Sequence, residues 1–538
     1  MSALGVPGTP GAPPPTGPEP SGPPGMLRST AVFSAMTFLS RIAGAARDAI
    51  QAALFGAGPA VSAFVVAYRI PNYLRRIFAE GSFSSAFVPV LTELKQKGDQ
   101  EALQDFLDHV AGALLAVVVL VSGIGMLLAP WISRAFLMFA DADAATVPLA
   151  ADMLRITFPY LTFISMTALA GAVLNSFRQF GLPALTPVLH NLAVIGAMLL
   201  LAGYLDVPEK ALAWGVLAAG VLQLLLLWPA MGRLGIRPRF RFNLRHAGVR
   251  RVMKLMLPTI FSSSVAQVNL LVGTAFASLL VVEAQSWLYY SDRLTELPLG
   301  LFGVAIGTVI LPQLSRNHAD ADAEGYSKSL DWGLRTVLLL GMPAALGLAL
   351  LAEPLTAALF NYGEFTELDT RMVGYSLVAM SVGIPTFMLS KVLLPAFFAR
   401  QDTRTPMRAA VITVVANVLL TVALVTPLWM AGYLGAHVGI AAATALAGVL
   451  NAALLWRYLR RQGVYRPEPG WGRWVLRIGA GLVAMAIAVL VVRQWVGDWT
   501  ALSLWWRWLW LLAAVAAGAA AYGGTMVLLG LRPRHLRH

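Results

Sequence analysis

The sequence has 538 residues, of which 58% are hydrophobic and 12% charged, and its net charge is +13. A soluble globular protein is about 45–50% apolar and about 25% charged, so this composition excludes a soluble class and indicates a protein that crosses a membrane many times. There is no cysteine, which excludes disulfides and cysteine-ligated metals. The seven histidines show no metal-ligand spacing on one helix face. Since phosphate-binding loops and catalytic dyads are also missing, we expect no enzymatic activity and no cofactor.

The N-terminal 27 residues are rich in proline and glycine and contain no aromatic side chain. Such a segment buries too little apolar surface to order itself. It also lacks the basic region and the apolar region of a signal peptide. We therefore predict a disordered tail at residues 1–27.

Apolar runs of about 20 residues follow one another along the rest of the chain, and each could cross a bilayer core of about 30 Å as a helix. They are too long and too uniformly apolar for the alternating strands of a membrane barrel. The sequence predicts an all-α polytopic membrane protein with about 14 transmembrane helices. In chain order these are 29–55, 59–91, 104–130, 147–176, 183–204, 209–231, 249–281, 285–315, 331–352, 371–397, 405–427, 435–459, 473–496 and 504–530.

Positive charges alternate between the predicted loops. Lysine and arginine follow the even-numbered helices, and the largest cluster, between residues 233 and 254, contains no acid. The loops after odd-numbered helices are neutral or acidic. Because basic residues stay on the cytoplasmic side, we predict that both termini are cytoplasmic. The net charge then needs no nucleic-acid partner, although the basic cluster could contact anionic lipid heads.

Two pairs of distant segments are similar to each other. Residues 66–91 resemble 289–314, and residues 174–183 resemble 397–406, at offsets of 222–224. Each repeat would contain six helices, and an even number inserts both copies in the same orientation. We predict two six-helix lobes, related by a pseudo-two-fold axis along the membrane normal, and two extra C-terminal helices. The expected units are an N-lobe at 28–232, a basic cytoplasmic linker at 233–248, a C-lobe at 249–460, the C-terminal helices at 461–531 and a basic tail at 532–538.

Charged side chains lie inside three of the predicted membrane helices. The arginines are Arg41, Arg47, Arg69, Arg75, Arg76 and Arg293, and the nearby acids are Asp48, Glu80, Asp292 and Glu296. An arginine at a helix centre costs roughly 2.5–3.5 kcal/mol on insertion scales. Ion pairs within a helix and snorkelling to the interface account for part of the set. The remaining surplus of cations is expected to face water or to bind an anion.

Arginine narrows the choice of anion. Its planar guanidinium group matches phosphate oxygens bidentately and stays charged at physiological pH. Several arginines from three helices therefore suit a diphosphate better than a single carboxylate. Arg41 and Arg47 would point about 120° apart on a straight helix, so we expect a bend at Gly44 to bring both to one cavity.

Four segments resemble a known family. They are FLSRIAGAARDA, AFVVAYRIPNYLRRIFAEGSFSSAFVPVL, SWLYYSDRLTELPLGLFGVAIGTVILPQLS and FFARQDTRTP. All are similar to the MurJ (MviN) family of lipid II flippases, within the multidrug/oligosaccharidyl-lipid/polysaccharide exporter superfamily. One departure is Ser62, which stands where the family often has an acid before the AF of its second helix.

The resemblance implies a central cavity between two lobes and a groove for a lipid tail along the last two helices. It implies export of lipid II, an undecaprenyl-diphosphate-linked disaccharide–pentapeptide, to the periplasmic leaflet of the bacterial inner membrane. The family's essential cavity arginines correspond to Arg41, Arg47, Arg75 and Arg293, and the supporting positions to Ser40, Asn72, Arg76, Glu80, Ser286 and Asp292. A monomer is expected, with lipid II, membrane lipids and other cell-wall synthesis proteins as partners.

The expected mechanism is alternating access, in which the four arginines hold the diphosphate while the lobes rock. An inside-negative potential favours outward movement of an anion by about 2.3 kcal/mol per charge per 100 mV. Coupling to sodium, protons or chloride stays open. The alternative is an ion-coupled exporter of drugs or of another lipid-linked oligosaccharide. A drug antiporter would need unpaired acids in the membrane, whereas each acid here has an arginine within four residues. A membrane scaffold would need no buried arginine.

Overall fold

The computed structural model describes residues 24–76, 82–137, 145–277, 279–300 and 304–530. Every regular element in these ranges is a helix, so the predicted all-α class is confirmed. Glu80, which was predicted to support the site, lies outside the described residues, and so does the predicted basic tail at 532–538.

The N-terminal half contains seven helices. They are α1 (Pro24–Phe55), α2 (Pro59–Arg75), α3 (Ser82–Lys97), α4 (Gln100–Leu137), α5 (Thr146–Ser176), α6 (Gly181–Leu201) and α7 (Lys210–Arg233). The prediction of a disordered tail at residues 1–27 is wrong for residues 24–27, because α1 begins at Pro24. Proline is tolerated in a first helical turn, where its missing N–H would have no partner. The single helix predicted at 59–91 corresponds to α2 and α3.

The C-terminal half continues after a linker without helix. Its helices are α8 (Ala247–Ala277), α9 (Ala284–Pro298), α10 (Val304–Ala319), α11 (Ala323–Leu350), α12 (Ala352–Leu359), α13 (Glu367–Ser381), α14 (Ile384–Phe398), α15 (Arg404–Met430), α16 (Val438–Arg461), α17 (Trp471–Val496) and α18 (Leu504–Leu528). In the described part of the chain, nine helices are long and apolar enough to cross a membrane. The bent pair α13–α14 would make ten, and the count of 14 stays a prediction.

The buried apolar side chains form cores that differ at the two ends of the helices. At the end with neutral and acidic loops, here called the acidic end, one core contains residues of both halves, such as Phe64 and Tyr290. At the opposite, basic end there are two cores, one around Phe87 and one around Val392. The start of α8, at Val249 and Val252, packs into the core around Phe87. Apart from this segment, the two halves share a core at the acidic end and have separate cores at the basic end.

Polar contacts reinforce this junction at the acidic end. Ser62 and Ser286 share a hydrogen bond of 2.7 Å between their hydroxyl oxygens. The Glu364 amide donates to the carbonyl oxygen of Ala53 at 3.1 Å. Gly56 has a φ of +64°, and an added Cβ would lie 2.6 Å from the Glu364 carbonyl oxygen, so only glycine permits this approach. The α1–α2 turn of one half thus fits closely against the α12–α13 loop of the other.

The hairpin formed by α17 and α18 is hydrogen-bonded to α11 and α12. At the acidic end, Arg507 is 6% exposed and donates hydrogen bonds to the carbonyl oxygens of Leu502, Ala357 and Asn361 at 2.6–3.1 Å. At the basic end, Asp331 of α11 accepts hydrogen bonds from Tyr465 at 2.6 Å and from Trp471 at 2.8 Å, and Arg335 pairs with it at 2.7 Å. These contacts indicate that the hairpin moves together with the C-terminal half.

The basic linker and the start of α8 lie against the N-terminal half. Asp108 of α4 accepts a hydrogen bond from the Arg239 amide at 2.8 Å. Arg251 of α8 pairs with Glu93 of α3 at 2.7 Å. Arg251 and Lys97 hydrogen-bond to the exposed Glu93 carboxylate and lower its pKa to about 2, so the pair is lost only as pH falls through that value. The first turn of α8 is thereby tied to the half of the molecule that precedes it.

Candidate binding cavity

A cavity of about 420 Å³ lies between α1, α6 and α9, and we call it the arginine cavity. Its lining includes Thr37, Ser40, Arg41, Gly44, Arg47, Asp48, Tyr68, His190, Asn191, Arg293 and Glu296. Three of the four arginines predicted to bind substrate therefore face one space, from helices of both halves. The helix α1 carries Arg41 and Arg47 without interruption.

Arg47 is held in a fixed orientation. It is 8% exposed, and its Nε and Nη2 donate to Asp48 Oδ1 at 3.0 and 2.6 Å. Its Nη1 donates to Asn191 Oδ1 at 3.0 Å. The Asn191 amide in turn donates to the carbonyl oxygen of Ser40 at 3.0 Å. Ser40, a predicted supporting residue, takes part in this network through its backbone carbonyl oxygen.

Arg293 reaches the same carboxylate from the other half of the molecule. Its Nε lies 3.6 Å from Asp48 Oδ2, and its Nη1 donates to Glu296 Oε2 at 3.2 Å. Its guanidinium group stacks over the Tyr289 ring, 4.9 Å from the centroid, and Tyr289 itself donates to Asp48 Oδ1 at 3.2 Å. The buried Arg293 Nε has no hydrogen-bond partner. Asp48 thus links the two arginines across the boundary between the halves.

Arg41 is the third arginine of the cavity, and it is partly buried. It lies against the backbone of Gly300, where an added Cβ would overlap it. Among the ion pairs of the described residues, none includes Arg41. A charged group that lines a cavity without a carboxylate partner is available to an anionic ligand.

Arg75 lies in an adjoining space. It lines a cavity of about 700 Å³ between α2, α3, α5, α6 and α7, which we call the N-lobe cavity. Arg75 Nε donates to the side-chain oxygen of Asn72 at 2.9 Å, so this supporting residue orients the arginine. The two cavities share five lining residues: Tyr68, Pro183, Pro187, His190 and Asn191.

The other predicted residues lie outside the arginine cavity's lining. Arg69 donates to Thr274 Oγ1 and Gln285 Oε1, both at 3.0 Å, and lies 3.7 Å from Asp292. Arg69 and Asp292 therefore join α2 to α8 and α9. Ser286 is buried at the acidic end against Ser62. Arg76 is half-buried immediately after α2.

Sequence reasoning missed Asn191, His190 and Lys391. Asn191 and His190 are adjacent polar residues in the apolar helix α6, and that contrast is the signal that could have found them. Lys391 is an exposed cation in the middle of α14. No ion pair that the structure describes includes it, and it is the only charged residue within the apolar segment 384–398.

A histidine cluster forms at the basic end, away from both cavities. One potential ligand atom from each of Asp105, His109 and His246 lies within 4.8 Å of the others. Spacing along one helix could not predict it, because Asp105 and His109 lie on α4 and His246 lies in the linker, directly before α8. The Asp105 carboxylate already accepts a hydrogen bond from His246 at 3.0 Å and lies 3.8 Å from Arg241. Contacts with the linker therefore already engage the Asp105 carboxylate.

Comparison with known proteins identifies the family and agrees with the fold. The family model of the lipid II flippase MurJ matches residues 51–509. The chain belongs to the MurJ family. A Burkholderia cenocepacia protein named "Lipid II flippase MurJ" is 40% identical over 95% of this chain and 99% of its own length. A Haemophilus influenzae protein named "Probable lipid II flippase MurJ" is 41% identical over 93% of this chain and 99% of its own.

Solved structures agree with the MurJ assignment. A lipid II flippase MurJ in an inward closed conformation superposes with a TM-score of 0.77 at 25% identity, covering 93% of this chain and 99% of that one. An inward-facing multidrug resistance MATE family transporter shares the fold, with a TM-score of 0.63 at 15% identity, covering 81% and 98%. The resemblance seen in the sequence is confirmed, and the chain is a multi-pass inner-membrane protein of a transporter family.

Proposed function

We propose that the protein moves lipid II from the cytoplasmic to the periplasmic leaflet. The observation that carries this proposal is the arginine cavity, in which Arg41, Arg47 and Arg293 converge from both halves of a membrane protein. The family relationship supports the same substrate. The described lining of this cavity contains three guanidinium groups but only two carboxylates, those of Asp48 and Glu296, so the space retains positive charge for an anion.

The diphosphate of the substrate suits this arrangement. Arg47 and Arg293 are oriented by one carboxylate, and oriented guanidinium groups bind phosphate oxygens with less loss of side-chain entropy. Arg41 adds a cation without a carboxylate partner among the described residues. Arg75 adds positive charge in the adjoining space. We infer that the diphosphate bridges Arg41, Arg47 and Arg293, with Arg75 at its edge.

Access would alternate between the two leaflets. Apart from the start of α8, the halves share a core at the acidic end and have separate cores at the basic end, which matches a cavity that opens to the cytoplasm if both termini are cytoplasmic. Outward opening would break the Ser62–Ser286 and Ala53–Glu364 hydrogen bonds. Each contributes about 0.5–1.5 kcal/mol net, a cost that substrate binding could offset.

The lipid tail would follow an apolar groove. A cavity of about 660 Å³ lies between α11 and the α17–α18 hairpin and is lined almost entirely by apolar side chains, among them Ala344, Met485 and Leu511. We infer that part of the polyprenyl chain lies there while the diphosphate occupies the arginine cavity.

Filling this groove should weaken binding of the lipid tail. We expect Ala344→Trp to lower the affinity for full-length lipid II about tenfold, since losing two methylene contacts costs about 1.6 kcal/mol. A short-chain analogue should bind as it does to the wild type. Leu476→Trp, at an exposed position on α17, is the matched control. Equal binding of the long-chain lipid to all three proteins would exclude the groove as the tail site.

A reconstituted system tests the function directly. Purified protein in vesicles would receive fluorescent lipid II, and a membrane-impermeant quencher would report which leaflet contains it. We expect the fraction of lipid II that is protected from the quencher to fall with time. The rate of this fall should depend on the protein and should rise with an inside-negative potential. Vesicles that transport an organic cation but leave lipid II in place would instead support the drug-exporter alternative. Protease cleavage of one exposed loop measures the fraction of the protein that has inserted in the reverse orientation.

A further inference from the structure

We propose that the N-lobe cavity binds the uncharged disaccharide of the substrate head, a sugar with hydroxyl and N-acetyl groups. This inference rests on the proposed function, because it takes the diphosphate in the arginine cavity as its starting point. It assigns a separate place to the part of the head that carries no charge.

The first support is continuity between the two cavities. Tyr68, Pro183, Pro187, His190 and Asn191 line both of them. Asn191 also binds Arg47, at 3.0 Å. A ligand group attached directly to a diphosphate at the arginines would therefore meet the shared wall first and continue into the N-lobe cavity. This cavity has a volume of about 700 Å³, within the range of about 300–1,000 Å³ typical of small-ligand sites.

The second support is the chemistry of the lining. Arg75 is the only charged side chain among the described residues of this lining, while hydroxyl and amide groups recur around it, for example at Thr167, Asn175 and Gln223. Gln223 is 3% exposed and donates to the Thr186 carbonyl oxygen at 2.7 Å. Its Oε1 has no hydrogen-bond partner. Leaving a buried acceptor unpaired is costly, and a sugar hydroxyl or acetamido N–H would satisfy it after a small side-chain movement.

The third support is the pair of tyrosine rings on the wall, Tyr68 and Tyr160. The faces of aromatic rings carry partial negative charge, and the C–H faces of a pyranose carry partial positive charge, so the two pack favourably. Neutral polar groups beside aromatic faces favour a carbohydrate over a peptide that bears carboxylates. The anionic peptide would extend into the space between the halves.

The test compares two ligands that differ only in the head: lipid II and undecaprenyl diphosphate, which has no sugar or peptide. Ala168 of α5 lines the N-lobe cavity, and Ala168→Phe would fill part of it. We expect this variant to bind lipid II at least about tenfold more weakly and undecaprenyl diphosphate as well as the wild type does. A truncated ligand with the disaccharide but without peptide should show the same loss as lipid II.

Two other variants make the result specific. Leu192→Phe places the same ring at a 54% exposed position on α6 and should bind both ligands normally. Gly171→Leu is a second filling variant, because a Cβ there would make only ordinary contacts at 3.7–3.9 Å. If thermal unfolding shows that Ala168→Phe does not fold, Gly171→Leu takes its place in the test.

The outcomes separate this inference from the proposed function. If both filling variants fold and bind lipid II like the wild type, the sugar lies elsewhere and the inference is overturned. Loss of the peptide-free ligand's affinity with normal binding of undecaprenyl diphosphate would support it. If the wild type binds neither lipid, the proposed function fails, whatever the variants do.

Discussion

Replacing Arg293 with alanine is expected to abolish growth in bacteria that depend on this chain as their lipid II flippase. Arg293 is the arginine of the cavity that comes from the C-terminal half, so on the proposed function its loss would remove that half's direct contact with the diphosphate. Hydrogen bonds to charged groups contribute about 1.5–3 kcal/mol, which corresponds to roughly 10–150-fold in affinity. Binding of undecaprenyl diphosphate to the purified variant measures this loss.

Two controls separate binding from folding. Arg155→Ala removes an exposed arginine paired with Asp152 at 3.2 Å and should support normal growth, because exposed pairs contribute about 0–1 kcal/mol. Arg293→Lys keeps the charge but loses the planar fork, so we expect intermediate affinity. Full growth with Arg293→Ala at normal protein level would remove Arg293 from the site.

Replacing Asp48 with asparagine is expected to lower both thermal stability and lipid II transport strongly. Asp48 is 5% exposed and is the one carboxylate that contacts both Arg47, at 2.6 Å, and Arg293, at 3.6 Å. Removing one partner of a buried pair costs about 3–5 kcal/mol. The two guanidinium groups would then lack the carboxylate that they share, and among the described residues only Arg293 would keep a carboxylate partner, Glu296. Thermal unfolding of the purified protein measures the loss.

The change in melting temperature on adding ligand should differ between Asp48→Asn and the wild type. A diphosphate would replace the missing negative charge, and a ligand that binds the folded state stabilises it in proportion to its affinity. Undecaprenyl diphosphate should therefore raise the melting temperature of Asp48→Asn more than that of the wild type. Asp152→Asn, at an exposed pair, should change neither stability nor the ligand effect. An equal ligand effect in Asp48→Asn and the wild type would show that Asp48 and the diphosphate do not share the arginines.

The arginines illustrate what can be inferred from residue type alone. A surplus of cations in apolar helices predicted an anion site, and Arg41, Arg47 and Arg293 do line one cavity. The same reasoning could not separate them from Arg69, which hydrogen-bonds to Thr274 and pairs with Asp292 inside the fold. Both kinds of arginine have the same insertion cost, and only their neighbours in space distinguish them.

Hydropathy was sufficient to predict the all-α membrane class, because the free energy of transferring a helix into lipid depends mainly on that helix's own residues. The family was predicted from four segments that resemble it, such as FLSRIAGAARDA and FFARQDTRTP. The tertiary structure alone decided which charges share a cavity, that Asp48 serves two arginines, and that Asn191 fixes Arg47. It also showed that, among the described residues, residues from many helices of both halves share one core at the acidic end, whereas at the basic end only the start of α8 joins the core of the N-terminal half. These features depend on contacts between residues that are far apart in the chain, and such contacts are set by side-chain packing rather than by any local pattern.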